Sequence, residues 1–118
     1  MPYDEHTANR IRSCFRELRT AYTERKMFGG LTFFVDDKMC CGVMYQKKHA
    51  TDYVMGRVGG EMVGQLLDRE GFQPMDFTGR PMKDYVFVTP ESYDTEADLL
   101  ELVRLCVAYN PSAKRSKK

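Results

Sequence analysis

A chain of 118 residues is sized for a single hydrophobic core, and its 42% hydrophobic and 30% charged residues exclude an intrinsically disordered chain. The formal net charge of +1 hides an asymmetry. Lys114, Arg115, Lys117 and Lys118 hold four of the eighteen basic residues, leaving fourteen against seventeen acidic ones and a net charge of −3 for the body; that excludes a general polyanion-binding surface and leaves any attraction for nucleic acid to the tail or a local patch.

Met1 to Asn9 is polar, without the pattern of a secretory leader. The apolar runs fall far short of the ~20 residues that cross a bilayer. The expectation is a cytoplasmic protein without membrane contact, in which Cys14, Cys40, Cys41 and Cys106 are reduced thiols.

From Asp4 to Leu18, the residues Ala8, Ile11, Phe15 and Leu18 recur at three- and four-residue steps, which stack side chains on one helical face. The other face carries Arg10, Arg12, Arg16, Glu17 and Arg19, a solvated surface. Leu31 to Val35 and Lys38 to Val43 alternate as strands. Asp36-Asp37 between them fits a two-residue hairpin link, although Asp-Asp is a weaker signal than Asp-Gly. A short strand around Lys26 to Phe28 is allowed before them, broken by Gly29 and Gly30.

Gln46 to Thr51 reads as a loop, and Asp52 to Val58 as the third strand of a meander, ended by Gly59 and Gly60. Met62, Val63, Leu66 and Leu67 predict a short helix from Glu61 to about Arg69, stopped by Gly71. Met75 to Phe77, the turn Thr78-Gly79-Arg80-Pro81 and Met82 to Val88 predict a second hairpin, with a strongly β-prone segment in Tyr85-Val86-Phe87-Val88.

Asp94 or Thr95 caps a last helix reaching Asn110-Pro111. Its Leu99, Leu100, Leu102, Val103, Leu105, Cys106 and Val107 cover more than half the circumference, so it must be buried against the sheet, another helix or a second copy of the chain. Strands this tightly connected exclude parallel crossovers. An α+β fold follows, with helices packed on an antiparallel sheet, as one domain over residues 1–112 and a basic, disordered tail at 113–118.

Chemistry-bearing patterns are sparse. Gly29-Gly30 leads into a strand with no Lys-Ser or Lys-Thr behind it, and Gly59-Gly60 opens a helix without a spaced third glycine. Both therefore read as conformational glycines, not phosphate loops. Cys40 and Cys41, adjacent on a strand, are expected to point to opposite faces and cannot easily share a tetrahedral metal. The four cysteines read structurally as buried small hydrophobes and functionally as a redox-sensing thiol. His6 and His49 have no partner at catalytic spacing. No enzyme activity, metal or cofactor is expected. The distinctive stretch runs from Met75 to Lys83, where a rigid turn projects Arg80 and Lys83; with Lys26 or Arg57 they form a candidate basic rim for a carboxylate, a phosphate or an acidic partner.

Three stretches occur in order: Lys26-Met27-Phe28-Gly29-Gly30-Leu31, Met39-Cys40-Cys41-Gly42-Val43, and Met75-Asp76-Phe77-Thr78-Gly79-Arg80-Pro81-Met82-Lys83 followed by Tyr85-Val86-Phe87-Val88. Together they resemble the TfoX/Sxy N-terminal domain family, over most of the chain from Lys26 to Asn110. The resemblance implies a two-layer antiparallel fold of order α-β(3)-α-β(2)-α and a link to transcriptional co-regulation of natural competence in bacteria. It implies no catalytic residues. Full-length members carry a separate C-terminal domain that this sequence lacks, so a standalone single-domain member is expected. Asp84 stands where the family commonly has glycine.

The resulting expectation is a regulatory or protein-interaction module. Its candidate partner contacts are Lys26, Phe28, Gly29, Gly30, Arg80, Pro81, Met82 and Lys83, and its last helix is a candidate homodimer face. The alternatives are weak, non-specific DNA contact through Lys114, Arg115, Lys117 and Lys118, or a small-ligand pocket between sheet and helices.

Overall fold

The alternating stretches pair into one sheet, and the amphipathic stretches pack as helices on a single face of it. The computed structural model describes residues 3–27, 30–46, 50–77 and 80–113, with the backbone alone for 75–77 and 80–82. In chain order the elements are α1 (Glu5–Glu17), β1 (Thr23–Met27), β2 (Gly30–Val35), β3 (Lys38–Gln46), β4 (Thr51–Arg57), α2 (Gly60–Leu66), β5 (Phe72–Phe77), β6 (Arg80–Val88) and α3 (Glu96–Tyr109). Short 3-10 turns at Pro90–Ser92 and Asn110–Ser112 flank α3. The strands form an antiparallel sheet of order β1-β2-β3-β4-β6-β5. No helix among the described residues is long and apolar enough to cross a membrane.

The fold is α+β, as expected, but the first meander has four strands where the resemblance implies three. The extra strand is β1. Its residues Thr23, Glu24, Arg25 and Lys26 are all exposed, so backbone pairing with β2 holds it, not an alternating apolar pattern. The charges on this edge oppose pairing with another chain.

The helix starts follow side-chain chemistry. Asp4 caps α1, its carboxylate accepting from the His6 backbone N–H at 3.3 Å and the Thr7 hydroxyl at 2.8 Å. Thr95 caps α3 by accepting from the Asp98 N–H at 3.1 Å. Ala8, Ile11, Cys14 and Phe15 are buried on α1, and the Phe15 ring stacks on Tyr22 at 4.8 Å and tilts against Phe33 at 5.7 Å. On α3 the buried residues are Leu99, Leu102, Val103 and Cys106. The apolar stripe of the last helix is therefore largely satisfied within the chain, against the sheet and α1. Ala113 is buried as well, so the packed body reaches one residue past the expected boundary at 112.

Asp36 and Asp37 both have positive φ, 55° and 64°, the conformation of a type I′ hairpin turn. Two residues on from it, the ladder slips: Phe33 pairs with Cys41 but Phe34 pairs with Met39. Cys40 is the extra residue of a β-bulge. Below the bulge, a Cβ on Gly42 would lie 2.7 Å from the Leu31 carbonyl oxygen, and one on Gly30 would collide with that of Val43. Bulges and glycine contacts of this kind bend a sheet. The face away from the helices is accordingly not a wet surface, because Phe34, Met39, Met44, Tyr53, Met55, Tyr85 and Phe87 form a second buried cluster there. Arg25 lies over the Phe34 ring at 4.7 Å and Arg57 over Tyr85 at 5.3 Å, closing this layer with cation–π contacts.

Candidate functional site

The expected basic rim does not assemble. Through the ladder Lys26 aligns with Leu31, Val43, Val54 and then Val88, while Tyr85 pairs with Arg57. Lys83 therefore lies four strand spacings from Lys26, about 19 Å, and five residues further along, about 17 Å. The two lysines are exposed at opposite ends of the sheet. Arg57 is 9% exposed and held against Tyr85, so it is not a rim residue. Gly30 opens β2; Arg80, Pro81 and Met82 lie in β6. Phe28, Gly29, His49 and the tail cations Lys114, Arg115, Lys117 and Lys118 fall outside the described residues.

Around Lys83 the chain builds a defined surface. The carbonyl of Asp84 accepts from the N–H groups of Val58 and Gly59 at 2.9 and 3.0 Å, which hangs the entry to α2 on β6. Gly59 has φ of 90° and faces the Tyr109 ring so closely that a Cβ there would lie 2.6 Å from Cε1. The Tyr109 hydroxyl in turn donates to the Asp84 carboxylate at 3.2 Å. Asp84 thus tethers the end of α3 to β6. Burial, followed by the Asp84 charge, pushes the Tyr109 phenol above its ordinary pKa.

Between α2 and α3 lies a groove of about 420 Å³, lined by the apolar Val58, Met62, Leu105, Ala108 and Tyr109 together with Glu61 and Gln65. At Gly60 the groove edge meets β6, with the Lys83 carbonyl 3.8 Å and the Asp84 carboxylate 3.9 Å from where a Gly60 Cβ would sit, while strand alternation places the Lys83 side chain with Tyr85 and Phe87 on the opposite face of the sheet. The lining is mostly apolar, and the hydroxyl of its Tyr109 is engaged by the Asp84 carboxylate. Chemically, the groove suits holding an apolar segment, with Glu61 and Gln65 as the polar groups in its lining.

A second concavity, of about 500 Å³, opens at the start of α1 among Asp4, Thr7, Arg10, Asp52 and Tyr93. Its polar groups are largely spent on structure. Arg10 donates to the carbonyls of Tyr93 and Asp94 at 2.7 and 2.9 Å, and the Tyr93 hydroxyl donates to the Asp52 carbonyl at 3.0 Å. Burial, then the Asp4 charge, raises the Asp52 carboxyl pKa.

The bulge corrects the expectation for the adjacent cysteines. Cys40 and Cys41 do not point to opposite faces; both join the helix-side core with Cys106 of α3. The Cys106 sulfur lies 3.0 Å from where a Gly56 Cβ would sit, and Gly56 is the register partner of Cys41. The neighbouring Cys106 and Cys41 thiols hold the Cys40 thiol below its ordinary pKa against the opposing effect of burial, and the Arg57 charge acts in the same direction. The Cys40 thiol and burial push Cys41 and Cys106 well above theirs. Strand alternation concealed this cluster, and only the one-residue slip creates it. Among the described residues no group of three or more His, Cys, Asp and Glu side chains is arranged to hold a metal.

Compared with known families, the chain matches the TfoX N-terminal domain over residues 14–109. No curated protein and no solved structure matches it.

Proposed function

Since the chain belongs to the TfoX N-terminal domain family, we propose that it is a non-catalytic regulatory module that captures an apolar segment of a protein partner in the groove between α2 and α3. The observation that carries this reading is the groove's composition: apolar side chains from two helices lie open there, with Glu61 and Gln65 as the polar groups among them. Of the expected contact residues, Arg80, Pro81, Met82 and Lys83 lie on β6, which packs on α2, whereas Lys26 lies on β1 and Gly30 on β2.

The test is site-specific photo-crosslinking in cells that carry the gene, with the reactive group at position 108 in the groove or at position 24 on the β1 edge. A defined crosslinked protein from position 108 that is absent from position 24 supports the proposal. Products from position 24 alone would move the partner surface to the opposite edge and sink it.

A further inference from the structure

The groove between α2 and α3 does not end at Leu105. That residue also lines a narrower cleft leading past Leu102 to Arg69, Phe72 and Asp98, and these three open onto a further hollow of about 550 Å³. The charges along this trough are one-sided. Glu61 lies at the Tyr109 end, Glu101 midway, and Glu70, Glu91 and Asp98 at the far end, so that five carboxylates face Arg69, the one cation among the described lining residues. Arg69 is itself engaged, pairing with Glu101 at 3.5 Å and lying over the Phe72 ring at 4.8 Å. Glu61, Glu70, Glu91 and Asp98 are all exposed.

Resting on the reading of the groove as the partner site, we propose that its occupant is a short amphipathic helix of the partner that carries basic residues at both ends. A seam between two helices receives a third by interdigitating side chains, and an apolar stripe on one face of the incoming helix would meet Met62, Leu105 and Ala108. The spacing of the acids sets the length. Asp98 and Ala108 are separated by about 15 Å at 1.5 Å per residue along α3. A helix lying along α3 therefore meets Glu61 and the far acids with side chains roughly ten residues apart, about three turns of stripe between them.

The same charges turn away two other occupants. A second copy of the chain docking by this face would set carboxylates against carboxylates across the interface. The chain's own Lys114, Arg115, Lys117 and Lys118 have the right sign, but only Ser116 stands among them, so that stretch offers no apolar side chain to fill the groove.

The experiment titrates the full chain, labelled with nitrogen-15, with two synthetic helical peptides of about fourteen residues. Both carry the same leucine stripe; the remaining positions are lysine in one and glutamate in the other. The lysine peptide should shift the amides of Met62, Leu105 and Ala108 and bind at least about tenfold more tightly, with a preference that shrinks as salt rises from about 0.05 to about 0.5 M. Replacing Glu61 and Glu91 together by lysine should narrow that preference at least about threefold. Equal or tighter binding of the glutamate peptide at the same amides overturns the basic partner and leaves the groove reading standing. Shifts from the lysine peptide spread over other acidic surfaces, or a preference unchanged in the double variant, also overturn it. If neither peptide moves the groove amides, the inference and the groove reading fall together.

Discussion

Replacing Gly59 with alanine probes the contact that shapes the groove. At φ of 90° a side chain costs about 1–2 kcal/mol by analogy with the left-handed helical region. The added Cβ would also lie 2.6 Å from Cε1 and 2.8 Å from Cδ1 of Tyr109, so the ring must move. Displacing it surrenders the hydrogen bond to Asp84 at 3.2 Å, worth about 0.5–1.5 kcal/mol. Together Gly59→Ala should destabilise the protein by about 2–3 kcal/mol and lower Tm by roughly 8–12 °C at about 4 °C per kcal/mol. Urea denaturation followed by far-UV circular dichroism measures it, with Tyr109→Phe as the control that removes only the hydroxyl and costs about 1 kcal/mol. Combining Gly59→Ala with Tyr109→Ala should be less damaging than the sum of the singles, because the clash has lost its partner. A Gly59→Ala protein within about 0.5 kcal/mol of wild type would refute this account of the α2 entry.

Asp4→Ala removes the α1 cap and should cost about 1 kcal/mol at neutral pH. The Thr7 hydroxyl, the largest influence, lowers the Asp4 pKa below its reference value of 3.8. The stabilisation is therefore fully present above that value and lost as pH falls through the lower folded pKa, so wild type and variant should converge in denaturation series at the acid end. Asp52 has the opposite sign. Burial raises its folded pKa above 3.8, so ionisation weakens the native state as pH rises, and Asp52→Asn should raise stability at pH 7 relative to wild type but not at pH 3; an equal effect at both would contradict the assignment.

The sequence shows most of the fold because the buried faces of α1 and α3 follow the helical period, and Leu31 to Val43 follows the strand period around a two-residue turn. β1 is obscure because Thr23 to Lys26 bury nothing, so no apolar pattern marks them. The groove was half visible. Tyr85-Val86-Phe87-Val88 identifies β6, but nothing local reveals that β6 pairs with β4 and leaves β5 at the edge, and that order separates Lys83 from Lys26. The thiol cluster was hidden for a different reason. Alternation sends neighbouring residues to opposite faces, and the slip at Cys40 is a property of the pairing between β2 and β3.

The most direct test of partner capture is calorimetric titration of the protein crosslinked at position 108, purified, against the full chain and two variants. Ala108→Asp places a charge in the apolar groove and should weaken binding at least about tenfold, or about 1.4 kcal/mol, while Lys26→Glu at the far edge leaves the affinity unchanged. Loss of binding with Lys26→Glu and none with Ala108→Asp would contradict the groove as the partner site.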